Sequence, residues 1–359
     1  MGRGVIKIPA AEMKRLIKQV SAKDDLLIDT ERGLLVSVGA ELTTTVRSSL
    51  LVSPEKFVVA CEGKKIGQVV GRMAGAIDIA LVGSSLVLKS ARATIQIDTK
   101  PAKPFIAPEF KDTITLPLDK IKPLLQYASQ AVDPNKAAVT GGVVKLKSKP
   151  LTPGALIYGI QAAGSDGHRL FIEESEAIEE SKFLYVLPLP AVAAIQALEG
   201  TTLEVAEMES YFYFKAGGVS IFSGKLSKAL PNYENFIPKT FKSVYSVNAE
   251  ALKNSLRVVQ PMFDPDQAGN PNRATVHFLD NVCRIFTKSA EDSVECKQLL
   301  PDPIFDAIID FKITVNAEYL LDFVSAVSGE VTVSCNEVNQ PLWLEAGNRK
   351  MLLAPVNQR

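Results

Sequence analysis

The residues best suited to chemistry stand together in one short stretch, AAGSDGHRLF, at positions 162–171. It holds His168, one of only two histidines, two residues from Asp166 and beside Arg169. A carboxylate near an imidazole can orient it and hold its charge, the arrangement of a general acid or base. No nearby side chain reads as a nucleophile for such a base to activate. The same residues also spell a β-hairpin, with Asp166-Gly167 making the turn, His168 and Arg169 facing solvent and Leu170 returning to the core.

Other chemistries find no foothold. The sequence has no Walker phosphate loop, no GxGxxG after a strand, no HExxH and no nucleophile elbow. Cys61, Cys283, Cys296 and Cys335 form no CxxC pair and have no histidine set to complete a zinc site, so reduced structural thiols are expected. No cofactor, metal or enzymatic activity is predicted. Lys plus Arg and Asp plus Glu each number 40, so any nucleic-acid contact must come from local clustering. The first residues, MGRGVIKIPAAEMKRL, carry no apolar run suited to a signal peptide or a membrane span, and a cytoplasmic location with no membrane contact is expected.

Three segments open alike: VIKIPAAEMKRLIKQVS, TITLPLDKIKPLLQYASQAV and VYSVNAEALKNSLRVVQ each read as a strand running into an amphipathic helix. Met13, Leu16, Ile17 and Val20 share one face in the first. Leu118, Ile121, Leu125 and Ala128 do so in the second, and Leu252, Leu256 and Val259 in the third. A second helix is expected in LLVSPEKFVVACEG, LYVLPLPAVAAIQALEG and ITVNAEYLLDFVSAVSG. Ser53 and Asn316 are the caps, Pro54 and Pro190 lie in the first turn, and Gly63, Gly200 and Gly329 are the stops. Hairpins follow in SLVLKSARATIQI, YFYFKAGGVSIF and PLWLEAGNRKMLL. Leu88, Phe214 and Leu344 mark a repeat of 126 and then 130 residues (214 − 88 and 344 − 214).

Two proline-rich joints, KPAKPFIAPEF and LPNYENFIPKTF, set boundaries near residues 111 and 240. The expected fold is α+β, with three repeated domains at 1–111, 112–240 and 241–359, each of two helices on antiparallel sheets. The first is read as shortened by a lost loop or strand: Ile8 and Val52 are 44 apart, against 71 from Leu116 to Leu187 and 68 from Val247 to Val315.

The polar faces of the opening helices carry Lys14, Arg15 and Lys18, then Lys120 and Lys122, then Lys253 and Arg257. Like charges spaced by one turn repel slightly, so a stripe recurring in all three repeats calls for an anionic partner. On any single helix it would read as a solvated face.

A three-unit chain with SDGHRL in its second unit, LPNYENFIP at its second joint and LLAPVNQR at its end resembles the DNA polymerase sliding clamps of bacteria and their phages, the beta-subunit type. The resemblance implies a head-to-tail homodimer closed as a ring around duplex DNA, conferring processivity on a replicative polymerase. The basic stripe would then face phosphates, through sequence-independent and salt-sensitive contacts. It also implies a pocket for short peptides of the polymerase, the clamp loader and repair proteins. Carried over by position, that pocket comprises Thr140, Gly142, Ser165, Gly167, His168, Arg169 and Leu170, then Pro231, Asn235 and Phe236. Asn316, Tyr319 and Pro341 follow, with Leu352, Leu353, Ala354, Pro355 and Val356 from the tail.

Four features depart from the family pattern: Asn235 stands where Arg is frequent, Ala354 replaces the tail Met, the tail ends VNQR rather than in an apolar residue, and the first unit reads Ala40-Glu41-Leu42-Thr43 in place of Thr-Asp-Leu-Glu. The alternative from another class is a clamp-fold scaffold that binds peptides without encircling DNA.

Overall fold

The helix faces expected from periodicity are the buried ones. In the computed structural model, helix Ala10–Gln19 buries Met13, Leu16 and Ile17. Helix Leu118–Ser129 buries Leu118, Ile121, Leu125 and Ala128, and Ala249–Val259 buries Leu252, Leu256 and Val259. Each runs straight on from a short strand, Ile6–Pro9, Ile114–Pro117 or Ser243–Asn248. The structure describes residues 5–20, 25–39, 42–108, 112–133, 135, 143–150, 158–175, 183–225, 232–263, 272–279, 281–287, 290–299 and 310–356.

The second helix forms as expected in two repeats. Pro190 lies in the first turn of Leu189–Gln196, and Asn316 caps Ala317–Ala326, its Oδ1 accepting from the Glu318 and Tyr319 N–H groups at 3.0 and 3.4 Å. Gly200 and Gly329 follow them at positive φ, +120° and +77°.

In the first repeat the expected helix is displaced. Ser53 caps only a turn, its Oγ accepting from the Glu55 N–H at 3.2 Å. Val58–Glu62 is a strand paired with Asp25–Asp29, and the helix is Gly63–Arg72, which Gly63 begins rather than ends. The β-branched pair Val58-Val59 suits a pleated surface, and a waiting edge on Asp25–Asp29 decides the matter against Ser53 and Pro54.

The correction also removes the supposed lost strand. Among the described residues each repeat holds a strand, a helix, four strands, a helix and three strands, to which the first adds the two-residue strand Lys100–Pro101. In the first repeat the four strands are Asp25–Asp29, Leu34–Val38, Leu42–Arg47 and Val58–Glu62, and the three are Ala76–Val82, Ser85–Ser90 and Ala93–Asp98. From helix start to helix start the repeats span 53, 71 and 68 residues (63 − 10, 189 − 118 and 317 − 249). The first is shorter both in its connections and in the strands between its two helices, with none of the four strands lost.

The chain divides into two compact units, Met1–Lys122 with Leu187–Ser227, and Pro123–Val186 with Lys228–Arg359. The first cut falls inside helix Leu118–Ser129 at Pro123, which has no N–H to donate to the preceding turn. In unit 1 a nine-stranded sheet joins repeats one and two, because Leu42–Arg47 pairs antiparallel with Val219–Gly224. In unit 2 a twelve-stranded sheet joins repeats two and three through Arg169–Glu174 and Arg349–Leu353. The rule is the same at both seams: the third strand of one repeat's four pairs with the last strand of the next. The unit 2 core includes Tyr127 stacked on Phe171 at 4.7 Å and Tyr245 on Phe278 at 4.2 Å.

Candidate binding site

The turn at residues 165–170 joins strands Tyr158–Ser165 and Arg169–Glu174 and is fixed almost wholly by its own side chains. Asp166 Oδ1 accepts from the N–H groups of His168 at 2.9 Å and Arg169 at 3.0 Å. Ser165 Oγ donates to the Arg169 carbonyl at 2.7 Å and accepts from the Gly167 N–H at 3.1 Å. Gly167 has φ +86°, which glycine reaches at no steric cost. Asp166 is 4% exposed and its carboxylate serves the backbone, so the acid–base dyad with His168 is not built. His168 itself is exposed.

Arg169 is where expectation and structure part. It does not face solvent; its side chain is 11% exposed. Nη1 donates to Asp322, Nη2 donates to the Gln130 carbonyl at 2.9 Å, and Nε lies 3.3 Å from Asp166 Oδ2, a charge contact without hydrogen-bond alignment. Its guanidinium also lies over the Tyr319 ring, 4.2 Å from the centroid. Burial, and secondarily the Asp166 carboxylate, push the Tyr319 hydroxyl up to about 12. One side chain thus ties the turn to helix Ala317–Ala326 of the third repeat.

Strand pairing brings the tail to the same place. Arg169 is in register with Leu353 and Leu170 with Leu352, while Leu342, which follows Pro341, stands opposite Leu353. Beyond the strand, the Ala354 N–H donates to the His168 carbonyl at 2.9 Å and the Val356 N–H to the Thr314 carbonyl at 2.8 Å. Leu170, Leu352 and Leu353 are buried, while Ala354, Pro355 and Val356 are half-buried. The structure therefore brings together Ser165, Gly167, His168, Arg169, Leu170, Asn316, Tyr319, Pro341 and residues 352–356, an apolar strip edged by polar groups.

Asn235 and Phe236 lie on a short 3-10 helix whose Tyr233 donates to Gln161 at 2.6 Å, four residues up the strand from Ser165. Four strand residues span about 13 Å. Phe236 is 64% exposed. Thr140, Gly142 and Pro231 lie outside the described residues.

The basic stripe is less uniform than its spacing suggested. Lys14, Lys18 and Arg257 are exposed and Lys120 is half-exposed. Arg15 is bound to Glu12 at 2.7 Å and lies 3.7 Å from Glu199. Lys122 donates to the Leu198 carbonyl just past helix Leu189–Gln196, and Lys253 donates to Glu250. Lys122 therefore caps a neighbouring helix rather than facing a partner. What the sequence reading missed is helix Gly63–Arg72, packed beside Ala10–Gln19, where Lys64, Lys65 and Arg72 are exposed. The sequence carries a signal in its Lys64-Lys65 pair, but a helix ending at Gly63 leaves that pair outside any helix.

No protein-family model matches the chain. It is 24% identical over 265 residues to the Beta sliding clamp of Synechocystis, covering 67% of this chain and 66% of that protein. With the Beta sliding clamp of Helicobacter pylori it shares 22% over 286 residues, 73% and 69% of the two chains. The chain thus spans about two thirds of the length of the curated relatives it matches. Among solved structures, the DNA polymerase III beta subunit of Thermotoga maritima superposes with a TM-score of 0.86 at 17% identity, over 99% of this chain and 100% of that one. The beta chain of Streptococcus pneumoniae gives 0.84 at 16%, with the same coverage. The chain is similar in sequence to bacterial beta sliding clamps and has their fold from end to end.

Proposed function

We infer that this chain, a sliding clamp by fold and by sequence kinship, works as a processivity factor that encircles duplex DNA and tethers a replicative polymerase. The observation carrying this reading is the thrice-written strand–helix–four strands–helix–three strands unit and its repeated seam, on a backbone matching a beta subunit at TM-score 0.86. The three units are read as clamp domains near 1–111, 112–240 and 241–359, and the protein as no enzyme. It acts in the cytoplasm, where its DNA is.

The seam rule supports a homodimer. Applied a third time, it asks the third of the last repeat's four strands, Glu291–Leu299, to pair with the last strand of the first repeat, Ala93–Asp98, taken from a second copy. Ala93–Asp98 ends its four-stranded sheet, and residues 291–295 are paired on one side only among the described residues. Two copies joined twice in this way close head to tail, leaving neither seam strand unpaired.

DNA contact then falls chiefly to Lys14, Lys18, Lys64, Lys65, Lys120 and Arg257, with Arg15, Lys122 and Lys253 set in place by their own partners. Topological linkage replaces affinity, so a modest number of phosphate contacts suffices. The strip around residues 165–170 and 352–356 takes short peptides of the polymerase, clamp loader and repair proteins, their apolar side chains lying on Leu170 and Leu352.

Light scattering and DNA retention test this together. The expected mass is about twice 38.8 kDa, and the loaded protein should stay on nicked circular DNA but leave linear DNA. Thr94→Glu with Gln96→Glu, which sets acid against Glu291 and Asp292, should give monomers. A monomer at micromolar concentration that leaves both DNAs equally would replace the clamp with a peptide-binding scaffold.

A further inference from the structure

Beneath the first joint, unit 1 holds an open groove of about 810 Å3 that clamping does not use. Its floor crosses the seam between the first two repeats, where Thr45 and Ser220 stand in register. Both side chains are small, so the seam is low between taller walls.

One wall is aromatic: Phe105 of the joint packs edge-on to Phe222 at 5.5 Å, and Phe222 lies 5.2 Å from Tyr213. The other is cationic, formed by Arg32, Arg47 and Lys215. Arg32 is held in place by donating to the Phe105 carbonyl at 2.9 Å. Lys215 is answered by Glu204 at 3.0 Å, outside the lining. Arg47 is exposed and has no side-chain partner among the described residues. Among those residues no carboxylate lines the groove, while Ile106, 78% exposed, stands at its rim.

We propose that this groove binds a short acidic peptide, one apolar side chain lying against Phe105 and Ile106 and an adjacent carboxylate pairing with Arg47. The volume lies within the range of pockets that hold a small ligand and has room for several side chains of a short peptide. An unpaired guanidinium offers a two-pronged donor for which a carboxylate is the matching acceptor. Single-stranded nucleic acid fits less well, because stacking needs an open ring face, and Tyr213 and Phe222 are each 4% exposed. The site is independent of the strip around residues 165–170 and of ring closure.

The test is fluorescence anisotropy on the full chain with labelled Asp-Glu-Leu-Phe-Asp-Glu, a counterpart with lysine at every acidic position, and a labelled twelve-nucleotide oligo-dT. The acidic peptide should bind and the basic one should not. Arg47→Glu should weaken binding at least tenfold and Ile106→Ser severalfold, both with unchanged circular dichroism. Because a Leu-Phe peptide also suits the strip around residues 165–170, each titration is run in a His168→Glu background as well, where Arg47-dependent binding should persist. Equal binding of the basic peptide, indifference to Arg47→Glu, or no Arg47-dependent binding in the His168→Glu background would each overturn the proposal. So would Arg47-dependent binding of the oligonucleotide alone. Mass and DNA retention, measured on the same variants, report separately on the clamp reading.

Discussion

Replacing Arg169 by alanine should loosen unit 2 far more than an exposed arginine would. The side chain is 11% exposed and serves Asp166, Asp322, the Gln130 carbonyl and the Tyr319 ring. Its contact with Asp322, which is 51% exposed, contributes little, about 0–1 kcal/mol. The larger cost lies with Asp166, 4% exposed, which loses its counter-charge; stranding a buried charge costs about 3–5 kcal/mol. Because Nε sits 3.3 Å away without hydrogen-bond alignment and Asp166 keeps two backbone donors, the low end applies. We expect a loss of about 3 kcal/mol. The single tryptophan, Trp343, lies in unit 2 opposite Leu352, so its fluorescence reports on this region alone. With a urea slope of about 2 kcal/mol/M, the midpoint should fall by about 1.5 M. Arg169→Lys keeps the charge but not the planar fork and should lose roughly half as much. Asp166→Asn combined with Arg169→Met should recover part of the loss. A midpoint for Arg169→Ala within about 0.3 M of the parent protein would show that Arg169 is not the tie described here.

Three further outcomes are expected. A Cβ on Gly164 would meet the Ala128 carbonyl oxygen at 2.2 Å and Val132 Cγ2 at 2.8 Å, so Gly164→Ala should cost at least about 2 kcal/mol by the same fluorescence assay. Burial pushes the Cys61 thiol up to about 11 and the Cys335 thiol up to about 12. Both should resist iodoacetamide at pH 8 until the protein unfolds, and since the raised values favour the folded state only below them, stability should fall as pH climbs from about 9, their ordinary value, towards 11–12. Burial alone would raise the Glu174 carboxyl, but Lys149, Lys350 and Gln161 together hold it below its ordinary 4.5. Its contribution is therefore present above that value and lost as pH falls below it, so the midpoint difference between the parent and Glu174→Gln should be flat from pH 8 to 5 and shrink below about 4.5.

Much of this architecture was legible because it was written three times. Helical periodicity in 13–20, 118–128 and 252–259 named the buried faces, and Gly200 and Gly329 marked stops that no other residue serves as easily. The reading failed at residues 53–72, where a good cap and a proline pointed to a helix. The strand edge of Asp25–Asp29, thirty residues away in the chain, drew Val58–Glu62 into the sheet instead. That error hid Lys64, Lys65 and Arg72, and it turned a short connection into an apparently missing strand.

The SDGHRL motif divides in the same way. By itself the sequence determined the turn, because Asp166, Gly167 and Ser165 act on atoms within four residues of themselves. It also fixed the repeat and hence the fold class, since periodicity is a local property summed along the chain. Only the tertiary structure decided what the turn touches. The carboxylate that sequence placed beside His168 is buried under backbone amides, and the arginine that sequence sent to solvent is folded inward onto Tyr319 and Asp322, about 150 residues away in the chain. Partners that distant are chosen by strand register and helix packing. The pairing of Arg169–Glu174 with Arg349–Leu353 gathers the tail, the turn and Asn316 into one strip, and no local pattern in the chain encodes that meeting.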